Sequence, residues 1–229
     1  MSFNLQKRVV SFMTTRFLTK QKKITMKKSG LLMIVGSLLL LGLFIYPLWN
    51  IQLGAPQYPD PLGMDIYITG IQGEGEFDIQ NIDGVNHYIG MKKIPKPEDM
   101  WEFATFPIII IGMVALGVII GLFGFLGKIS HNWFLGWFLL MMVLGILGMY
   151  DFNSWLLDYG TDLNPNAILN MTDADGNPLS YKPPMLGTAK ILNFTASSYP
   201  RMGAYAMFVG MFLTLVAWWI GKSATKGRS

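Results

Sequence analysis

The stretch TFPIIIIGMVALGVIIGLFGFLG, residues 105–127, contains no charged side chain. An α-helix needs about 20 mostly apolar residues to cross the hydrocarbon core of a bilayer. Pro107 suits the first turn of such a helix, because the N–H group that proline lacks has no helical partner there. The stretch therefore predicts a transmembrane helix.

Three further uncharged segments of similar character occupy residues 31–49, 133–150 and 204–220. The whole chain is 52% hydrophobic and only 14% charged, whereas soluble domains are about 25% charged. We therefore expect an all-α membrane protein, a four-helix transmembrane bundle. Its two extracytoplasmic loops, 50–104 and 151–203, are expected to form a small cap with some β structure.

Lysine and arginine positions predict the orientation of these segments. Of the 18 basic residues, 12 precede the first segment, lie between the second and third, or follow the fourth. All 14 acidic residues lie in the two loops, from Asp60 to Glu102 and from Asp151 to Asp175. Because loops rich in Lys and Arg stay in the cytoplasm, both termini are expected on the inner side of the membrane. The two outer loops contain no cysteine, which weighs against a eukaryotic secretory protein and favours a bacterial cytoplasmic membrane.

The predicted order of parts follows from these boundaries. It is a basic cytoplasmic tail (1–30), span one (31–49), periplasmic loop one (50–104), span two (105–127), a cytoplasmic turn (128–132), span three (133–150), periplasmic loop two (151–203), span four (204–220) and a cytoplasmic tail (221–229). The first tail is expected to be solvated and to touch anionic headgroups. A cleaved signal peptide is the alternative for span one, but its apolar run is long and no small-residue cleavage site follows, which favours an uncleaved anchor.

Several function classes are disfavoured by what the sequence lacks. There is no cysteine, which excludes disulfides, thiolate-bound zinc and iron–sulfur clusters. No charged residue lies inside the four segments, which argues against ion-coupled transport. The sequence also shows no phosphate-binding glycine loop, no nucleophile–base pair and no nucleic-acid patch.

Gly117 and Gly121 form a GxxxG motif in span two, which Gly124 extends. Small residues at this spacing let a second helix approach closely. That helix is either one of the chain's own, as in ordinary bundle packing, or one from a partner subunit. Gly145 and Gly148 leave the same alternatives open in span three.

Short patterned segments interrupt the turn-rich loops. Asp65–Thr69 alternates as a strand that can pair with Glu76–Ile82, and residues 186–195 are compatible with a short amphipathic helix. Asp173–Asn177 is similar to the start of a calcium-binding loop, but Pro184 stands where a bidentate Glu is needed. A plain hairpin turn is the alternative there.

His87 is the loop residue with the clearest chemical potential. It lies four residues before Met91, so the two side chains would converge on one face of a helix. Imidazole and thioether groups suit copper, because soft ligands select Cu(I), and Met64 and Met100 are further candidate ligands in the same loop. Methionine is also a general apolar filler, so a metal-free role within the cap is the alternative.

Two sets of motifs resemble those of a known family. The first set is APQYP at 55–59 with GVNHYIGM at 84–91. The second set is DLNPNA at 162–167 with YKPPMLG at 181–187 and LNF at 192–194. Over about residues 26–220, the chain resembles the NosB-like accessory membrane proteins encoded in second-clade bacterial nitrous-oxide-reductase gene clusters.

The resemblance implies an accessory role toward a copper enzyme outside the cytoplasmic membrane, and it assigns no role to individual residues. It strengthens the expectation that His87, Met91 or Met64 contacts copper. It equally favours a metal-free role, in which the cap binds the reductase, its maturation proteins or its electron donor. Six motif residues are the candidates for partner contact: Tyr58, Asn86, Tyr88, Pro183, Pro184 and Asn193.

Three functions are therefore open. In the first, the protein is a non-enzymatic accessory that anchors, assembles or supports a periplasmic copper-dependent nitrous oxide reductase. In the second, it handles Cu(I) through His87 and methionines. In the third, it is a membrane enzyme or electron-transfer component, which requires a bound cofactor or quinol turnover.

Overall fold

The computed structural model describes residues 2–169, 172, 180–191 and 193–226 and divides into two compact units. The helical unit comprises residues 1–40, 112–142 and 208–229. The sheet unit comprises residues 41–111 and 143–207. The calcium-like segment Asp173–Asn177 lies outside the described residues.

Long helices and one small sheet make up the regular structure. In chain order the elements are α1 (Ser2–Leu38), a 3₁₀ turn (Leu39–Phe44), β1 (Trp49–Gly54), β2 (Leu62–Tyr67), β3 (Gly70–Gly73), α2 (Asp78–Ile89), a second 3₁₀ turn (Pro97–Asp99), α3 (Trp101–Phe125), α4 (Asn132–Thr161), β4 (Gly187–Ile191), β5 (Phe194–Pro200) and α5 (Met202–Lys226). Within the described part of the chain, α1, α3, α4 and α5 are long and apolar enough to cross a membrane. The structure thus has a helix at each of the four predicted segments.

The first helix differs from the prediction at both ends. The segment expected to form a solvated tail is helical from Ser2 onward. At the other end, Trp49 was expected to close span one but begins β1 instead. Pro47 has no N–H to continue a helix, and residues 49–54 form backbone hydrogen bonds with a strand on each side.

The helix at the third predicted segment, α4, continues beyond Tyr150 to Thr161. Its last turns are held by burial within the sheet unit, where Leu156 is 0% and Tyr159 is 5% exposed. Burying apolar side chains of this size offsets the conformational entropy that ordering three more turns costs.

In the helical unit, the GxxxG motif of α3 packs against α1, one of the chain's own helices. A Cβ added at Gly121 would lie 2.6 Å from Cγ1 of Ile34 and 3.0 Å from the Gly30 carbonyl oxygen. Gly117 contacts the Ser37 side chain in the same way. These contacts support the bundle-packing interpretation, since no space remains at Gly117 and Gly121 for a further helix.

The strands form one antiparallel sheet with the order β3-β2-β1-β5-β4. Asn50 in the central strand stands opposite Asp65 of β2 and Tyr199 of β5. Alternation along β1 places Trp49 and Ile51 on the buried face. That face packs with residues of α2 and α4 in a cluster that comprises Trp49, Ile51, Leu62, Met64, Ile82, Ile94, Leu156 and Tyr159.

Two of the predicted loop elements are wrong. Glu76–Ile82 does not form a strand, because residues 78–89 form helix α2, and β2 pairs with β3 instead. The described residues of 186–195 do not form a helix; they contain β4 and the first residues of β5, which pair antiparallel with each other. In β5, Phe194, Ala196 and Ser198 are buried in alternation, a pattern that a helix cannot produce.

We predict that Gly121→Ala lowers the free energy of unfolding by about 1–3 kcal/mol, because the added methyl group must displace α1. Gly112→Ala is the matched control on the same helix, since a Cβ there meets no atom within 4 Å. Thermal unfolding in a mild detergent measures both variants. Equal unfolding midpoints would contradict the close packing of α1 and α3.

Candidate functional site

Helix α2 carries the central motif of loop one and is fixed at both ends. At its start, the Asp78 carboxylate accepts hydrogen bonds of 2.9 Å from the N–H groups of Gly63 and Gly75. At its end, Gly90 adopts a φ of 84°, in the left-handed region that favours glycine. One side of the helix is buried: Ile82, Val85, Asn86 and Ile89.

The two motif sets pack together in one hydrophobic cluster of the sheet unit. Ala55, Val85 and Ile89 come from the first set, and Tyr181 and Phe194 come from the second. Around them pack four partly buried side chains: Leu53, Tyr58, Met91 and Leu163. The motifs that resemble a family therefore form a shared core, although they come from two separate parts of the chain.

Backbone contacts between the motif segments require glycine at two positions. The N–H of Asn164 donates a hydrogen bond of 2.8 Å to the Gly90 carbonyl, and a Cβ on Gly90 would lie 2.8 Å from that of Ala167. The N–H of Tyr181 donates to the Gly160 carbonyl at 2.9 Å. At Gly160, a side chain would collide with the main chain of the residue after Tyr181.

A cavity of about 50 Å³ lies among these residues. Its walls are mostly apolar and come from Ile51, Gln52, Leu53, Met64, Ile82, Val85, Asn86, Ile89, Met91, Ile94, Tyr159, Tyr181, Pro183, Phe194 and Ala196. A cavity needs about 10–15 Å³ to hold one water molecule, so this cavity has room for water or for a group of a few atoms.

Polar groups are few in this cavity wall, and one of them is unsatisfied. The Asn86 side-chain amide donates a hydrogen bond to the Tyr159 hydroxyl. The Tyr181 hydroxyl is buried and has no hydrogen-bond partner among the described residues. Burial raises the pKa of the Tyr181 phenol, so the group stays protonated at neutral pH and is available as a donor.

The structure separates the proposed copper ligands. Met64 is 4% exposed and Met91 is half-buried, and both line the cavity. His87 is exposed on α2 and does not line the cavity, and neither does the half-buried Met100. In the described part of the chain, no group of three or more His, Asp or Glu side chains is placed to hold a metal.

The candidate residues for partner contact divide by exposure. Asn86 and Pro183 are buried within the fold, and Tyr58 is half-buried and packs against the core. Pro184 is half-buried. Tyr88, at 47% exposure, and the exposed Asn193 remain available to a partner.

The polar face of the sheet carries an ion-pair network that the sequence analysis missed. Arg201 pairs with Glu74 and, at 3.5 Å between Nε and Oδ1, with Asp65. The Gln52 amide donates a hydrogen bond of 2.9 Å to Glu74. Gly63 is the sequence feature that could have indicated this network, because glycine inside a strand often marks a close approach by another group. Here the Glu74 carboxylate occupies the space that a side chain at position 63 would fill.

We predict that Tyr181→Phe leaves the free energy of unfolding unchanged or raises it by up to about 1–3 kcal/mol, because a buried hydroxyl without a partner is removed. Tyr159→Phe is the matched control in the same cavity wall and should cost about 1 kcal/mol, because it loses the hydrogen bond from Asn86. Chemical unfolding in detergent measures both. An equal loss in the two variants would show that the Tyr181 hydroxyl binds something in the cavity.

The raised pKa of Tyr181 gives this pair of variants a pH dependence. Because the native state favours the protonated phenol, Tyr181 makes its full contribution to the free energy of unfolding below the ordinary tyrosine pKa of 10.0. That contribution falls as the pH rises above this value. Tyr181→Phe should reduce that alkaline loss of stability.

Comparison with known proteins gives no relative from which a function can be transferred. No protein-family model matches the chain, and no curated protein or solved structure matches it significantly. The resemblance to NosB-like proteins therefore rests on the motifs alone, and the remaining evidence for function is the geometry of the helical unit and of the sheet unit.

Proposed function

We propose that the chain is a membrane-anchored accessory protein that supports a periplasmic copper-dependent nitrous oxide reductase. In this proposal the four apolar helices cross the bacterial cytoplasmic membrane with both termini inside. The sheet unit is the periplasmic cap and binds the reductase, a maturation protein or an electron donor. The observation that carries the proposal is the convergence of both motif sets on one cluster.

Exposed apolar side chains on the long helices support the membrane part of the proposal. Ile108 is 71%, Ile146 is 62% and Phe212 is 63% exposed. Soluble monomers rarely expose contiguous apolar surface on this scale, whereas lipid tails cover it at no cost. The division of charge supports the orientation, because all 14 acidic residues lie within the sequence ranges of the sheet unit.

One exposed region of the sheet unit supports the docking part. Tyr88 is 47%, Ile168 is 64% and Leu169 is 36% exposed. The N–H of Leu169 donates a hydrogen bond of 3.0 Å to the Tyr88 carbonyl, so these residues are neighbours. We call these three residues the Tyr88 surface. An exposed aromatic beside aliphatic side chains is typical of the centre of a protein interface.

We predict that a C-terminally tagged protein, isolated in mild detergent from cells that express the reductase, co-purifies with the reductase or its assembly partners. Combining Tyr88→Ala with Ile168→Ser should remove the partner, because truncating an aromatic anchor costs about 2 kcal/mol or more. Phe77→Ala is the matched control, since Phe77 is 57% exposed and immediately precedes the same helix.

Two results would contradict the proposal. Recovery of the wild-type protein alone would refute the docking role. Equal loss of the partner in the Phe77 control would refute the Tyr88 surface as its site. The orientation is tested separately by a reporter fused after Arg228, which should remain in the cytoplasm.

A Cu(I)-handling role is the second candidate, because the Met64 and Met91 thioethers line the same cavity. Purified protein should then bind stoichiometric Cu(I) in competition with a chelator. Met64→Leu combined with Met91→Leu should abolish binding, whereas His87→Ala and Met100→Leu should leave it unchanged. Absence of stoichiometric Cu(I) in the wild type would eliminate this role.

A further inference from the structure

At one level of the helical unit, α3 ends, α4 begins and α5 is within two turns of its end, while α1 continues past this level. The Ser29 hydroxyl of α1 donates a hydrogen bond of 2.5 Å to the Ala217 carbonyl of α5. A Cβ added at Gly221 of α5 would lie 3.1 Å from the Ser29 hydroxyl and 2.7 Å from Cβ of His131, the residue before α4. These contacts place residue 29 of α1, the start of α4 and residue 221 of α5 at one level.

Two lysines at this level lie over aromatic rings. The Lys27 ammonium is 5.3 Å from the centre of the Phe125 ring, at the end of α3. The Lys222 ammonium is 4.8 Å from the centre of the Trp218 ring. Each ring stabilises a cation over its face, so both ammonium groups are held near this level, where α3 ends and α5 approaches its end.

All the charged side chains of this unit are basic. Its three segments contain 12 lysines and arginines and no aspartate or glutamate. Lys28 and Lys128 are exposed at the same end. Burial and, second, the charge of Lys222 lower the pKa of His131. No carboxylate side chain of the unit neutralises this positive field, which attracts anions.

Three tryptophans lie close to the same lysines in the chain or at the start of α4. Trp218 is half-buried, and its indole N–H is buried without a hydrogen-bond partner among the described residues. Trp133 and Trp219 are 60% and 65% exposed. Exposed indoles next to lysines are typical of the membrane–water interface, where the ring lies at headgroup depth.

We propose that this end of the helical unit binds the phosphate group of an anionic phospholipid. The ammonium groups of Lys27 and Lys222 supply the positive charge, and the Trp218 indole N–H supplies a hydrogen-bond donor. Free inorganic phosphate has the same charge chemistry but gains nothing from Trp133 and Trp219. This inference rests on the membrane insertion proposed above and adds a ligand on the cytoplasmic side.

The full-length protein in detergent, mixed with phosphatidylglycerol or phosphatidylcholine, tests the site by native mass spectrometry. Phosphatidylglycerol should be retained in preference to phosphatidylcholine. Lys27→Gln with Lys222→Gln should weaken its binding about 25-fold, since each lysine is worth about 1 kcal/mol at the surface and 1.4 kcal/mol is tenfold. Lys96→Gln with Lys190→Gln, two exposed lysines of the sheet unit, is the matched control.

Further variants keep the test decisive if the double glutamine variant does not fold. Lys27→Arg with Lys222→Arg should preserve lipid binding, and Trp218→Phe should weaken it about tenfold, because it keeps the ring under Lys222 but removes the donor. Equal retention of both lipids, or wild-type affinity in the glutamine and phenylalanine variants, would overturn the proposal. Displacement of the lipid by millimolar inorganic phosphate would overturn it as well.

Failure of the lipid-binding proposal can be distinguished experimentally from failure of the proposed accessory function. Loss of the lipid site should leave the periplasmic partner bound in the pull-down. A chain that stays dissolved without detergent would instead refute the membrane insertion on which both proposals depend.

Discussion

The central position of β1 is the constraint on which the sheet unit depends. Residues 49–54 form antiparallel ladders with β2 on one side and β5 on the other. Backbone N–H and C=O groups that leave water must find partners, and for this strand those partners come from both loops. The pairing therefore joins two segments that are far apart in the chain into one five-stranded sheet.

The position of the site follows from this pairing. The Trp49 indole donates a hydrogen bond of 2.7 Å to the Ser198 hydroxyl, which is buried in the opposite strand. On the same face, α2 and the last turns of α4 cover the sheet and line the cavity. The Tyr88 surface is part of the same unit, because the Leu169 N–H bonds to the end of α2. A docking surface and a buried motif core are thus built by one set of contacts.

Local composition determined those features of the protein that do not depend on contacts between distant parts of the chain. The four apolar segments and the separation of basic from acidic residues can be read directly, since transfer into lipid depends on each segment's own side chains. GxxxG spacing likewise predicted close helix packing, but the sequence left the identity of the neighbouring helix open. Contacts of Gly121 with Ile34 and Gly30 decided that it is α1.

Tertiary structure decided the remaining features, because they depend on residues distant in the chain. Residues 186–195 have a pattern compatible with a helix, yet they contain β4 and the first residues of β5. β4 is held as a strand by pairing with β5, and β5 by pairing with β1. His87 and Met91 would share a face of a continuous helix, but the left-handed Gly90 ends α2 between them. Met91 therefore lines the cavity with Met64 while His87 stays in solvent. By itself the sequence determined which segments are apolar and where the charges lie; strand pairing, which requires two distant segments at once, decided which side chains meet.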